Sequence, residues 1–569
     1  MRKPGRQILL LLLPLAAFLA LLPLPSVAED AASEDIPYEK VQHVLMDGVK
    51  YLYGQQNADG LWYYTNNMYP VGTTGLVLYA LVLSGISPKD AKVQKALVAL
   101  EGKLARLDAN TTTTYELGLA KMALEIIDRK KYRDTIMKLS SMLLMRQTKS
   151  GGWTYQTPSY SQLGNVQVQR TDWSNTQYAV LGLAAMERTE SKGYAYKGRN
   201  TPTHWMKFRD YVLNTWVTAD SGWPYSPEVE DKNTLRATPS MTCAGLASTL
   251  ICYAALNHSK QYPCGSDRAL LDKAETSLDY FAKSKSNVLP TTLKEFNDHM
   301  MYRFYAMERV GFYTGLRVIG DVDWFQLGAK LCVEANNTHE TNGWTSVPGA
   351  AFTLMFLSKG RWPLVVNKLK WGVGWNDDAL DMLRLTEKAS EIFEEAESGS
   401  IPSSDTAYLP TPKAGKRCTW GTVTFESPFE RVAKVPLLYV TGKKFPEMGK
   451  TEAHMLRKYA FSGGTLLFVA TDSSKEFDEG FRSFCAENFS GYALEPIDRS
   501  HPMFSSWYRS SGGYLPLEGI QGPHGKLMVI YSEKGVACDW EGGSVESRET
   551  RLGVSIIKYI TDHVPGIWK

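Results

Sequence analysis

The chain is short of the residues that staple small domains. Its 569 residues contain seven cysteines (positions 243, 252, 264, 332, 418, 485 and 538), and no two form a C-x-x-C pair. That excludes a disulfide framework and leaves no signature for structural zinc. Buried free thiols are the expectation, with one bridge inside the Cys243–Cys332 interval left open. Charge of one sign is also lacking. The formal net charge of +3 lies in residues 1–28, which carry three basic and no acidic residues and leave 60 against 60. A neutral chain offers no electrostatic footprint for nucleic acid. After the first apolar run, no segment is continuously apolar over a bilayer span, so no later membrane crossing is expected. Hydrophobic residues at 44% and charged residues at 22% exclude a disordered chain.

What is present begins with an export leader. Arg2, Lys3 and Arg6 precede an apolar run from Ile8 to Leu24, interrupted by Pro14 and Pro23, and Ser26-Val27-Ala28 has small residues where a signal peptidase cuts. Residues 1–28 read as a signal peptide. The mature protein is expected to be periplasmic or secreted, or anchored where the leader is retained.

A turn signature then recurs. Gln56-Asn57-Ala58-Asp59-Gly60-Leu61-Trp62 and Gln147-Thr148-Lys149-Ser150-Gly151-Gly152-Trp153 both read Q-x-x-x-G-x-W. Shorter copies are Ser221-Gly222-Trp223 and Asn342-Gly343-Trp344. The tryptophans stand 91, 70 and 121 residues apart, which suggests units of 45 to 60 residues with degenerate turns near Asp108–Thr112 and Ser284–Pro290. Before each turn lies an amphipathic helical pattern, such as Val41, Val44, Leu45, Val49 and Leu52. After the turns come helices apolar nearly all round: Thr73–Leu83, Tyr115–Ile126, Asn175–Met186, Met241–Ala255, Tyr302–Phe312 and Ala351–Leu357. Amphipathic and buried helices in alternation predict two concentric layers, an all-α toroid of about six hairpins over residues 29–375. Gly75, Gly118, Gly182 and Gly245 let the inner helices approach closely.

These turns resemble those of the squalene-cyclase and prenyltransferase α/α-toroid superfamily. The resemblance implies that Gln56, Trp62, Gln147, Trp153, Trp223 and Trp344 tie neighbouring hairpins together. Their role is structural, because a buried indole N–H needs a partner and a Gln amide can serve adjacent turns. The superfamily's chemistry is missing. A D-x-D-D-T-A acid motif is absent, since Asp321-Val322-Asp323 runs into Trp324. Cys243 and Cys252 sit in an apolar helix rather than a zinc site, and Pro263-Cys264-Gly265-Ser266 is not a thioester motif. No metal and no cofactor are expected.

Polar clusters open the inner helices. Thr171-Asp172-Trp173-Ser174-Asn175-Thr176-Gln177 and Thr238-Pro239-Ser240 have N-capping composition. If those N-termini converge on one mouth, Asp172, Asn175, Gln177, Tyr302, Tyr305, Glu308 and Arg309 line a pocket for a polar or anionic ligand. Tyr302, Tyr305 and Arg309 share one helix face. Glu308 has a plainer reading as an ion pair with Arg303 or Arg309.

Residues 376–415 read as a linker, acidic and then rich in Ser and Pro. Beyond it, residues 416–569 alternate strands (Leu437–Thr441, Leu466–Ala470, Leu527–Tyr531) with helices (Glu452–Phe461, Phe477–Phe489, Arg551–His563), the pattern of a parallel, doubly wound α/β domain. Pro436-Leu437-Leu438-Tyr439, Gly463-Gly464-Thr465-Leu466 and Ser500-His501-Pro502-Met503-Phe504 resemble a bacterial domain of unknown function (family 4159) with a class I glutamine-amidotransferase-like fold. Tyr302–Arg309 resembles the toroid that accompanies it in planctomycete-type proteins. Amidotransferases carry a nucleophilic Cys on a strand-to-helix turn. Here that turn is Thr471-Asp472-Ser473-Ser474, so a hydrolase would need Ser473 or Ser474 with His501 or His524. Thr441-Gly442 and Thr471-Asp472 end strands and are binding candidates.

The leading expectation is an exported, non-enzymatic protein that binds a small molecule, glycan or protein partner in the toroid lumen. The rivals are a toroid enzyme acting on a terpenoid or polysaccharide, and a hydrolase in the C-terminal domain.

Overall fold

The computed structural model describes residues 35–567 apart from 66–67, 109–110, 157–159, 164–165, 191–198, 294–297, 338–345, 398–416, 507–514, 524, 545–546 and 566. The leader, Trp344 and His524 lie outside the described residues.

Six hairpins follow one another. Their outer helices are α1 (Tyr38–Gly54), α3 (Ala91–Ala105), α5 (Arg133–Met145), α7 (Thr203–Asn214), α9 (Arg268–Ala282, followed by the single turn α10, Lys285–Val288) and α12 (Trp324–Asn337). The inner helices are α2 (Pro70–Leu83), α4 (Thr114–Asp128), α6 (Trp173–Glu190), α8 (Pro239–Leu256), α11 (Asp298–Thr314) and α13 (Val347–Gly360). Each inner helix packs on the next, and α13 packs back on α2, so the ring is closed. The inner helices are buried on every side; in α2, twelve of fourteen residues are. This explains why α8 is apolar enough to cross a bilayer although it lies in a ring. Two small hairpins decorate the loops: β1 (Tyr160–Leu163) with β2 (Val166–Gln169), and β3 (Val318–Ile319) with β4 (Val322–Asp323).

The repeated turns lock hairpin to hairpin with the same bonds. The indole N–H groups of Trp62, Trp153 and Trp223 donate to the carbonyls of Leu52, Leu143 and Val212, near the end of the preceding outer helix, at 2.7, 2.8 and 3.1 Å. Their backbone N–H groups donate to Thr74, Thr176 and Thr242 on the following inner helix. Gln56 donates to Gly60 O and, one hairpin along, to Lys92 O; Gln147 does the same to Gly151 O and His204 O, all at 2.9 Å. Gly60 and Gly151 have φ of +90° and +104°, and a Cβ on either would run into the next outer helix. Glycine is therefore the residue that closes this turn.

The α/β domain starts earlier than expected. Strand β5 (Leu364–Leu369) follows α13 directly, and α14 (Asp381–Glu397) occupies much of the segment read as a linker. The acidic residues that suggested a linker lie on an amphipathic helix whose other side, with Met382, Leu383, Leu385 and Ala389, is buried. There follow β6 (Thr419–Val423), α15 (Phe429–Ala433), β7 (Leu437–Gly442), α16 (Lys450–Phe461), β8 (Thr465–Ala470), α17 (Lys475–Asn488), β9 (Glu495–Pro496), β10 (Glu518–Gln521), β11 (Leu527–Ser532), α18 (Ala537–Gly542) and α19 (Arg548–Asp562).

The seven-stranded sheet has the order β6-β5-β7-β8-β11-β10-β9. The first five strands are parallel, in the order 2-1-3-4-5, and β10 and β9 add an antiparallel edge. Alternate residues serve opposite faces. Leu438, Val440, Leu466 and Phe468 pack with residues of α16 and α17, whereas Leu437, Tyr439, Leu467 and Val469 join the core that holds α14, α18, α19 and the toroid.

Gly118 backs onto the Tyr178 carbonyl, which an added Cβ would meet at 2.4 Å, whereas Gly102 on the exposed side of α3 has nothing within 4 Å. Gly118→Ala is expected to destabilise the chain by about 1–3 kcal/mol through overpacking. Gly102→Ala should be neutral or stabilising by about 1 kcal/mol through helix propensity. Urea denaturation of the two variants checks the contrast.

Candidate functional site

The N-termini of the inner helices converge on one mouth of the ring. Asp172 accepts from the backbone N–H of Asn175 at 2.7 Å and from its side-chain amide at 3.0 Å, so it caps α6. Burial pushes its carboxyl up to about 6 against the bonds from Asn175. Beside it, Glu228 accepts from Thr171 N at 3.0 Å, and burial raises this carboxyl too.

Deeper in the ring, Gln177 on α6 donates to the Tyr302 hydroxyl and accepts from the Arg309 guanidinium, both on α11. Helices α6 and α11 are not ring neighbours, so this contact spans the lumen. Arg309 stacks on Tyr305 at 4.4 Å, Tyr305 stacks on Phe352 at 5.5 Å, and Tyr178 faces Tyr302 at 6.5 Å. The lumen is thus filled by the chain's own aromatic and polar groups. Tyr302, Tyr305 and Arg309 lie together on α11, and Gln177 of α6 meets Tyr302 and Arg309 from across the ring, so these side chains bind one another. Glu308 is apart from them. It pairs with Lys359 on α13 at 3.5 Å, not with Arg303 or Arg309, beside a cavity of about 40 Å³ against Trp420 of the sheet domain.

The mouth carries groups the sequence reading missed. Tyr64, Tyr155 and Tyr225 each stand two residues after a turn tryptophan, and with Tyr69 they are 38%, 47%, 45% and 42% exposed. Tyr155 O accepts from Thr114 N and Tyr225 O from Trp173 N, so the phenols sit over the starts of α4 and α6. Their hydroxyls are 3.4 Å apart. Tyr69 opens α2 at φ +53°, a left-handed conformation rare for a bulky residue. It borders a groove of about 370 Å³ with Met68, Lys103, Arg106, Thr111 and Glu116. The signal was legible as W-x-Y at the three turns.

The opposite end of the ring is covered. Arg129 at the end of α4 pairs with Glu391 of α14 at 3.0 Å, and Trp420 and Thr422 donate to Phe312 O and Thr314 O at the end of α11. After α8, Asn257 donates to Glu541 of α18.

This end of the ring meets the carboxyl ends of the parallel strands, where a polar cluster is buried. Lys368 Nζ is 2.8 Å from Asp381 Oδ1 and 2.8 Å from Asp378 O, with both members of the ion pair fully buried. Burial raises the carboxyls of Asp378 and Glu541, and neighbouring negative charge adds to it. Cys264 is disulfide-bonded to Cys538, while Cys243, Cys252, Cys332, Cys418 and Cys485 are buried free thiols. This bridge differs from the expected Cys243–Cys332 interval, because the two domains pack against each other there. Nearby, Thr441 and Thr471 share a hydrogen bond at 3.1 Å, and Lys443 pairs with Asp472 at 2.9 Å.

The hydrolase arrangement with His501 is not formed. Ser473 meets Gly535 N beyond the end of β11. His501 meets Tyr559 edge-on at 5.2 Å, and the Tyr559 hydroxyl meets the backbone of Leu527 at the start of that strand, so the two groups lie at opposite ends of the sheet.

Residues 419–561 match the family model described as a domain of unknown function (DUF4159). No curated protein matches the sequence. Among solved structures, the chain is similar to an inactive variant of the α-1,6-mannanase GH76A of Salegentibacter sp. HEL1_6 in complex with α-1,6-mannotetrose, with TM-score 0.41, 8% identity, and coverage of 57% of this chain and 99% of that one. An unsaturated glucuronyl hydrolase specific for heparin follows with TM-score 0.38, 12% identity, and coverage of 56% and 96%. A type II terpene cyclase from Scytonema in complex with merosterolic acid A has TM-score 0.35, 12% identity, and coverage of 57% and 97%.

Lys368→Met strands the buried Asp381 carboxylate and is expected to cost about 3–5 kcal/mol in urea denaturation. The double change Lys368→Met with Asp381→Leu should recover most of that loss. Asp172 gives a pH test. Its folded value near 6 is above the ordinary carboxylate value, so its contribution is most favourable at low pH and is lost as pH rises through 6. Asp172→Asn should flatten the fall in melting temperature between pH 5 and pH 7.

Proposed function

We propose that this is an exported glycan-binding protein whose recognition surface is the open mouth of the toroid. One observation carries the reading: the repeat presents an exposed tyrosine at the same position of three of the hairpins, the first, third and fourth, over a floor of buried polar groups. Phenol rings offer an apolar face to the C–H side of a sugar and a hydroxyl to its edge. Tyr155 and Tyr225 stand on adjacent hairpins with their hydroxyls 3.4 Å apart, so they form one aromatic pair, and Tyr64 stands two hairpins before Tyr155. The filled lumen moves the proposed site from the centre of the ring to its rim. The sheet domain, covering the other end, leaves one mouth for the ligand.

A second reading, an enzyme acting on the same glycan, is favoured by one feature. Asp172 is a buried carboxyl and Glu228 a half-buried one, both with raised proton affinity at this mouth, and a carboxylic acid such as Asp172, pushed up to about 6, can donate a proton. Their engagement by Asn175 and Thr171 supports a capping role first.

The test is calorimetric titration of the mature chain with neutral hexasaccharides of glucose, mannose and xylose, and with hexauronates. At least one is expected to bind, with affinity falling at least tenfold in Tyr155→Ala and Tyr225→Ala. No binding across the panel, or affinity unmoved by both changes, rejects the site. New reducing ends or unsaturated uronates, lost in Asp172→Asn, would establish the enzymatic reading.

A further inference from the structure

The junction between ring and sheet gathers metal-ligand side chains from three separate segments. His258 and Cys264 follow α8, Asp378 follows β5, and Cys538 and Glu541 lie on α18. The ligand atoms of His258, Cys264 and Cys538 lie within 4.8 Å of one another, and so do those of Cys264, Asp378 and Glu541. Cys264 Sγ is 3.3 Å from Asp378 Oδ1 and 3.8 Å from Glu541 Oε2. Cys538 Sγ is 3.6 Å from His258 Nδ1. With Zn–S bonds of about 2.3 Å and Zn–N or Zn–O bonds of about 2.0–2.2 Å, tetrahedral ligands stand about 3.3–3.8 Å apart. The Cys264–Asp378, Cys264–Glu541 and Cys538–His258 edges have that size.

Glu541 and Asp378 differ in how they are satisfied. Glu541 accepts from Leu380 N at 2.7 Å and from Asn257. Asp378 is 4% exposed, and its Oδ2 is buried without a hydrogen-bond partner. Lys368, the nearby buried cation, directs its ammonium to Asp381 and to the backbone of Asp378. Two buried carboxylates thus face the sulfurs with one ammonium already engaged, and the end of α8 adds the negative pole of a helix.

We propose that Cys264 and Cys538, in their dithiol form, bind a divalent zinc-type cation together with His258 and Asp378, and that this site is exchanged for the disulfide by redox state. Opening the S–S bond takes two electrons and two protons from a small dithiol, which leaves as its own cyclic disulfide. Metal entry then releases the two thiol protons. Both states cross-link the ring to the sheet, one covalently and one through the ion.

The test uses the whole chain, reduced with excess dithiothreitol and freed of it without air, then titrated with Co²⁺. One equivalent is expected to bind with thiolate-to-cobalt charge-transfer absorption and tetrahedral d–d bands, which Zn²⁺ bleaches. The unreduced chain should show neither. Cys264→Ser and Cys538→Ser should each weaken the charge-transfer band, and Asp378→Asn should leave it in place while reducing Co²⁺ affinity at least tenfold. A cysteine pair that stays oxidised in excess dithiol overturns the proposal, as does a reduced chain with no thiolate band or a band unchanged in both serine variants. The wild-type measurement is decisive even if a variant fails to fold.

Discussion

Contact between the first and last inner helices, α2 and α13, is what the rest of this structure depends on. Six helices that are apolar on nearly every side can be buried on every side only if their ring closes; an open arc would expose the two end helices. Closure in turn needs small residues where helices touch. Gly75 lies against Ala120, Gly118 against Tyr178, and Gly182 against Gly118. The shared geometry of the two Q-x-x-x-G-x-W turns then ties adjacent hairpins, since Gln56 and Gln147 each hold their own turn and the next outer helix at once.

Closure gives the toroid two unlike ends. Helix C-termini leave carbonyls unsatisfied, and here Trp420 and Thr422 donate to two of them at the end of α11, while Glu391 of α14 pairs with the Arg129 guanidinium at the end of α4. Helix N-termini are capped locally, by Asp172, Thr113, Thr238 and Ser346, and the exposed groups at that end are the tyrosines above them. A ligand surface and a domain junction are thereby assigned to opposite faces by the direction of the inner helices. The cross-lumen chain of Gln177, Tyr302 and Arg309 seals the passage between them.

Much of this was readable beforehand, and the misses have physical causes. The six inner helices and strands β7, β8 and β11 stood out because burial on all sides leaves long apolar runs. Strand β5 escaped because Asn367 and Lys368 interrupt its apolar run, whereas the equally long β7, β8 and β11 are apolar along most of their length, yet β5 lies inside the sheet between β6 and β7. Helix α14 escaped because its acidic exposed face dominated its composition. The chosen lumen residues do meet, but Gln177 and Arg309 satisfy each other, and Glu308 turns to a lysine 51 positions away.

The sequence by itself determined what depends on local order: hairpin number, the helix that goes inside, the glycine at each turn, and the alternation of strand and helix. Those follow from periodicity and from backbone conformations that few residues can adopt. Only the tertiary structure decided which residues meet across the ring and between domains. His258, Cys264, Asp378 and Cys538 span 280 positions and have no spacing to reveal them, because their proximity is created when the sheet packs on the C-terminal rim.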